Sequence, residues 1–296
     1  MRESPLAAVR SILEAPILDE RKWSKVPAMP VDAVLLDLED SVQPDRKREA
    51  RERVVRQIAD ADELGEKLLL PRCNSLSTPY GGDDLKALGR AGATAIVYPK
   101  VETADELGEV RRILESVGAT ANLVPIIESA RGVLELTSIA ASPSVVGMLF
   151  GPFDLAVDAG ITPFEGDGLF ADAYHYAKSK LVFSGAAFGV PIFDFALTPQ
   201  LKNLDQVSKA VDYSRRLGFT GMTTFYPPHV DIINDAFSPK PEQVAEAHRV
   251  VEAYESTLAA GGAATQLGGR AIIVQDYKSA LTTLARARNF TGGVKR

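Results

Sequence analysis

Residues 32–44 read DAVLLDLEDSVQP: an apolar run, then Asp37, Glu39 and Asp40 within four positions, then a proline. The apolar side chains at 33–36 are continuous and do not alternate with polar ones, which is the pattern of a strand buried on both faces. A helical pattern over 45–59 follows directly. This is a βα unit whose polar residues sit where the strand ends, the place where α/β barrels gather their reactive groups.

The same unit recurs along the chain. Short apolar runs occupy 10–13, 33–38, 67–73, 95–99, 122–127, 145–150, 189–193 and 218–224. Helical patterns fill intervals between them, at 45–59, 103–117, 132–141 and 200–217. Strand alternating with helix eight times predicts parallel βα units, and 296 residues suit one (β/α)8 TIM barrel of about 250 residues plus an extension. A doubly wound sheet is the alternative, but no G-x-G-x-x-G follows the first strand. The barrel is expected over 1–238. The C-terminal extension, 239–296, reads as a helix over 241–258, a glycine-rich link over 261–269 and a second helix over 277–287. It carries no strand to join the barrel, and is either a helical cap or an arm packing on a neighbouring subunit.

A net charge of −6 argues against nucleic acid or an acidic membrane as partner. No apolar run approaches the roughly 20 residues of a bilayer span, the opening MRESPLAAVRSILEA lacks a signal-peptide core, and the single cysteine suits a reducing compartment. A cytoplasmic protein is expected.

The strand ends supply the candidate site. Glu128 and Asp154 close adjacent strands, and two carboxylates plus waters and substrate oxygens suit Mg2+; either can instead cap the helix that follows. Arg72 can grip a substrate carboxylate bidentately, or pair with Asp37 or Glu39, or both. Gly151, Pro152 and Phe153 open a helix whose backbone N–H groups can hold an anionic oxygen, although Pro152 offers none. Cys73 beside Arg72 reads as a core thiol rather than a nucleophile. His175, His229 and His248 lack zinc spacing, and only His229, just past the eighth strand, is placed to border the site. No nucleophile elbow or P-loop is present.

These strand ends resemble one family in particular. Asp32 to Pro44, with Lys47, Ala50 and Arg51, is similar to the D-x-V-x-L-D-L-E-D-x-V-x-P-x-x-K-x-x-A-R signature of the citrate lyase β-subunit-like and malyl-CoA lyase family. Arg72-Cys-Asn74, Pro99-Lys-Val-Glu102, Ile127-Glu-Ser-Ala-Arg-Gly132 and Asp154-Leu155 follow in order. The resemblance implies a trimeric or hexameric barrel with Mg2+ (or Mn2+) on Glu128 and Asp154 and Arg72 on the substrate carboxylate. Asp37, Glu39 and Asp40 would support the metal or Arg72. It also implies a 2-oxo acid and an acyl-CoA as reactants, with Arg10 and Pro16 in the segment that helps to bind coenzyme A.

The chain departs from that pattern at several points. Glu14-Ala15 stands where the family has F-V, and Phe153 where it has a glutamate. Ile273 replaces the tail aspartate that serves as acid/base in a neighbour's site, a kind of group worth roughly 10²–10⁴ in rate. Asp40, Tyr226 and His229 are then the candidate proton carriers. The expected activity is carbon–carbon bond cleavage or formation through a 2-oxo acid and an enolate. A class II aldolase working without coenzyme A, and a non-catalytic subunit that binds metal and 2-oxo acid, are the alternatives.

Overall fold

Eight parallel strands close on themselves in chain order in the computed structural model, which describes residues 4–164, 172–196 and 198–291. They are β1 (Ser11–Ala15), β2 (Ala33–Asp37), β3 (Leu68–Arg72), β4 (Ala95–Tyr98), β5 (Asn122–Ile127), β6 (Met148–Phe150), β7 (Ile192–Phe195) and β8 (Gly221–Thr224). The helices are α1 (Glu20–Trp23), α2 (Lys47–Ala59), α3 (Gly81–Arg90), α4 (Ala104–Glu115), α5 (Ala130–Leu134), α6 (Leu136–Ala141), α7 (Pro152–Ala159), α8 (His175–Phe188), α9 (Leu204–Leu217) and α10 (His229–Phe237). The closed barrel expected from the periodic runs is what the chain forms.

Successive side chains on a strand point to opposite faces, so each strand contributes to two cores. Ile12, Leu35, Leu70, Val97, Ile126, Leu149 and Phe193 form one cluster, joined by Leu6 and Val9 from the segment before β1. Their neighbours, among them Leu13, Leu36, Ile96, Ile127, Phe150 and Ile192, belong to a second and larger cluster that includes the buried faces of the helices. The first set fills the barrel and the second lies outside it. Both faces are apolar, which is why the strands read as continuous hydrophobic runs.

The boundaries differ from the sequence reading for local reasons. Strand β7 starts at Ile192, not 189, because Gly189 adopts the left-handed conformation (φ 66°) that caps α8. Gly218 does the same for α9 (φ 114°), so β8 starts at Gly221. The single helix expected over 132–141 is two, α5 and α6, with the break at Glu135. Lys178 of α8 is fully buried and reaches Asp194 of β7 at 2.7 Å, while Ser214 of α9 donates to the same carboxylate at 2.5 Å.

Beyond Ser238, α11 (Pro241–Ala259) and α12 (Val274–Thr291) pack around Ala247, Val250, Tyr254, Ile272, Ala280 and Leu284. The glycine-rich link contains a hairpin that the sequence reading missed, β9 (Thr265–Leu267) against β10 (Arg270–Ile272). It pairs with itself and adds nothing to the barrel. Arg286 donates to Phe237 O at 3.0 Å, and the Arg10 guanidinium lies 4.7 Å from the Phe290 ring. Arg10 precedes β1 and Phe237 ends α10, so this extension is fastened at the end where the strands begin.

Candidate active site

The inward parity that fills the barrel with apolar side chains changes chemistry one step further on. Two residues beyond Ile12, Leu35, Leu70, Ile126 and Leu149 come Glu14, Asp37, Arg72, Glu128 and Gly151. All five line a cavity of about 780 Å3 at the C-terminal ends of the strands. Asp40, Pro152, Phe153, Asp154 and Pro16 line it as well. The barrel core is thus the floor of a polar pocket, as the strand-end argument requires.

Asp37 and Arg72 are opposite each other in the β2–β3 register, and Arg72 Nε donates to Asp37 Oδ1 at 2.7 Å. The Asp37 carboxylate also accepts the N–H groups of Glu39 at 2.8 Å and Ser41 at 2.9 Å. Burial alone would raise its pKa, but Arg72 and these donors outweigh that and hold it at about 2. Arg72, itself buried, is kept well above its usual value by the same partner. Its Nη1 lies 3.4 Å from Glu39, so the structural ion pair exists and the rest of the guanidinium faces the cavity it lines.

Glu128 is buried and accepts the Lys100 N–H at 2.7 Å. Burial, with Glu39 and Asp154 nearby, pushes its carboxyl up to about 8. Gly151 is essential to its placement: a Cβ on that residue would lie 2.5 Å from both Glu128 Cβ and Glu128 Oε2. Glu39 Oε2 is buried and accepts no hydrogen bond. Crowded carboxylates favour cations among them: Arg72 and Lys100 serve Glu39, whereas Glu128 has only a backbone N–H as partner among the described residues. Glu128 and Asp154 line the same cavity, and Mg2+ is an ion that keeps several waters and takes one or two protein carboxylates. Glu128 and Asp154 fit that ion.

Lys100 is the residue that sequence reading passed over. It is the one non-glycine among the described residues with positive φ (52°), just past β4. That backbone turns its N–H to Glu128 while its Nζ reaches Glu39 at 2.9 Å, Asp40 at 3.8 Å and Asp154 at 3.9 Å. Burial disfavours its charge, but Glu39 and the other carboxylates more than compensate and raise its pKa. Its position in Pro99-Lys100-Val101-Glu102, at a strand end, was the available signal.

Other candidates are placed differently. Glu39 is buried behind the cavity wall, between Lys100 and Arg72. Gly151 spends its own N–H on Ile127 O at 3.0 Å, so only the later first-turn groups of α7 are available for an anion. Arg10 is not brought to the cavity: it sits at the opposite end of β1, chelating Asp32 at 2.7 and 2.8 Å and donating to Ser238 at 2.8 Å. His229 is fully buried, with Nδ1 3.1 Å from Ala196 O and Nε2 2.8 Å from Leu201 O, and does not border the site. Tyr226 lines the cavity. Cys73 is buried, and burial pushes its thiol well up, against any nucleophilic role. Ile273 is exposed in the extension, where the nearby Asp276 is spent on Arg270 at 2.6 Å and on the Ile273 N–H at 3.0 Å.

The cavity has an aromatic side. Phe153, Phe195 and Phe225 line it in a chain, with ring centroids 5.9 Å apart at each step, the first step edge-on and the second tilted. Lys22 and Lys25 also line it.

A family model described as HpcH/HpaI aldolase/citrate lyase matches residues 10–227. The chain is 30% identical over 278 residues to a (3S)-malyl-CoA thioesterase of Cereibacter sphaeroides, covering 94% of each protein. It is 28% identical over 295 residues to the mitochondrial citramalyl-CoA lyase of Homo sapiens, covering 94% of this chain and 85% of that one. Among solved structures, CitE of Mycobacterium tuberculosis in complex with magnesium, acetoacetate and coenzyme A matches with a TM-score of 0.78 at 26% identity, over 95% of this chain and 99% of that one.

Proposed function

This chain belongs to the HpcH/HpaI aldolase/citrate lyase family, and we propose on that footing that it is a Mg2+-dependent carbon–carbon lyase acting on a β-hydroxyacyl thioester. The products would be a 2-oxo acid and an acyl thioester, and the same site can run the condensation. One observation carries the reading: Glu128, Asp154 and a pre-positioned Arg72 line one cavity at the strand ends.

Glu128 and Asp154 would hold the metal, which when bound polarises the 2-oxo acid carbonyl as a Lewis acid. Arg72 binds the substrate carboxylate. Because Asp37 already fixes its orientation at 2.7 Å, little freedom is lost on binding. Lys100 anchors Glu128 through its backbone N–H and holds Glu39 through its ammonium. Phe153, Phe195 and Phe225 give the cavity an apolar wall that would limit water at the enolate carbon. Lys22 and Lys25 on the cavity wall suit the phosphates of a coenzyme A carrier, a role for which Arg10 is out of reach.

The 1–238 barrel would be the catalytic domain. The 239–296 extension would serve as an arm onto a neighbouring subunit of a homotrimer or homohexamer, since it is fastened away from its own cavity. Light scattering gives the mass directly, and a monomer removes that part. No helix among the described residues is long and apolar enough to cross a membrane. A cytoplasmic location is part of the proposal, supported by a single cysteine that suits a reducing compartment.

The test is calorimetric titration of pyruvate, glyoxylate and oxaloacetate with and without Mg2+, then assay of the matching β-hydroxyacyl-CoA esters for 2-oxo acid release. Metal-dependent binding with thioester cleavage is expected. Binding with turnover of free hydroxy acids alone would make the protein a coenzyme-A-independent aldolase. Binding without turnover would leave a non-catalytic subunit, and no binding would sink the pocket assignment.

A further inference from the structure

We infer that Glu14 is the residue that carries the proton in this reaction, taking it from the substrate hydroxyl and returning it to the enolate carbon. The inference rests on the lyase reading and names a group that reading leaves open.

Position and isolation single Glu14 out. It follows Ile12 on the inward face of β1 and lines the cavity with Asp37, Arg72 and Glu128. The other carboxylates around the floor are engaged. Asp37 holds Arg72 and two backbone N–H groups. Glu39 lies between Lys100 and Arg72. Glu128 accepts from Lys100, and Asp154 lies near the Lys100 ammonium. Asp40 is more than half exposed. Glu14 is half-buried and makes no hydrogen bond or ion pair with any described residue. A carboxylate aimed into a reaction cavity with no partner is free to exchange a proton.

Its surroundings suit that use. Burial raises the carboxyl, Arg72 on β3 pulls it down, and Asp37, Asp40 and Glu39 at the end of β2 push it up, leaving it at about 7. On the other side β8 contributes no ionisable group, and Tyr226 just beyond it lines the cavity with Lys22 and Lys25. A proton carrier works best when its affinity lies near the working pH.

The step balances without another reactant. Glu14 carboxylate accepts the hydroxyl proton as the bond between the carbinol carbon and the thioester α-carbon breaks. The oxygen's electrons form the new carbonyl of the 2-oxo acid, and the bond pair becomes the thioester enolate. Protonated Glu14 then delivers that proton to the α-carbon, yielding the acyl thioester and the original carboxylate.

The experiment compares wild type, Glu14→Gln and Glu14→Asp by kcat against pH and by calorimetry of glyoxylate with Mg2+. Exchange of the acetyl-CoA methyl protons in D2O, followed by NMR, is a further readout. Wild type should lose rate as pH falls through about 7, since the reaction starts from the carboxylate. Glu14→Gln should bind glyoxylate within about threefold of wild type yet lose roughly 10²–10⁴ in kcat, lose the acid limb and stop methyl exchange. Unchanged kcat or a persisting limb in Glu14→Gln overturns the inference, as does loss of glyoxylate binding in a folded variant. If Glu14→Gln does not fold, Glu14→Asp decides. Its carboxyl, set back by one methylene, should lower kcat and shift the limb, and wild-type behaviour overturns the assignment. A folded wild type that turns over no thioester overturns the lyase reading itself. Turnover that is indifferent to Glu14 overturns this inference alone.

Discussion

Gly151 leaves room for Glu128: a methyl group on Gly151 would stand 2.5 Å from a Glu128 oxygen and 2.5 Å from its Cβ. Gly151 itself has an ordinary backbone (φ −105°) and needs no glycine for conformational reasons. The space is required by the site and not by the turn.

Gly151→Ala is therefore expected to fold normally while displacing Glu128. Mg2+ affinity should fall about 10–100-fold, the range seen when a group that orients a metal ligand is lost. Calorimetry of Mg2+ binding, beside an unchanged circular dichroism spectrum, checks this. Wild-type affinity would show that Glu128 does not ligate.

Glu128→Gln should have opposite effects with and without metal. Without Mg2+ the variant should melt higher than wild type, because a buried carboxylate beside Glu39 and Asp154 has been neutralised. With Mg2+ at about 100 times its Kd, wild type should gain about 2.7 kcal/mol and the variant little. Equal Mg2+ stabilisation of both proteins would remove Glu128 from the metal site.

The Asp37–Arg72 pair makes an acid-stability prediction. The Asp37 pKa falls from an ordinary 3.8 to about 2 on folding, so the ionised form stabilises the native state. That contribution, about 2 kcal/mol, is present in full above pH 3.8 and is lost as the pH falls through about 2. Asp37→Asn should flatten this part of the stability curve in urea titrations between pH 2 and 5. An unchanged slope would show that the pair contributes nothing there.

Lys178→Met should destabilise the barrel by about 3–5 kcal/mol, because Asp194 would keep its buried charge with only Ser214 and a backbone N–H as donors. Replacing both partners, with Asp194→Leu added, should recover much of the loss. Chemical denaturation of the single and double variants tests this, and a near-neutral single substitution would refute it.

The barrel was legible because burial on both strand faces leaves continuous apolar runs that any reader of the chain can see. That Glu128, Asp154, Arg72 and Asp37 meet at one cavity was legible for a related reason, since polar residues at the ends of such runs have few places to go. Helix ends were less legible: Gly189 and Gly218 sit within apolar stretches, and only their left-handed conformation shows that they close helices. The β9–β10 hairpin was hidden by its glycines, which read as a link.

The sequence by itself determined the periodic βα order, and hence the end of the molecule at which Asp37, Arg72, Glu128 and Asp154 would gather, because strand parity is a local property of the chain. Tertiary structure decided what each of those groups is free to do. Arg10 and Glu14 are four residues apart on one segment, yet Arg10 is locked to Asp32 at one end of β1 while Glu14, in the cavity at the other, has no partner among the described residues. His229 borders the site in sequence but spends its ring on carbonyl groups in the interior. Partners of this kind come from 22 to 33 residues away in the chain, so barrel closure, and not local pattern, assigns them.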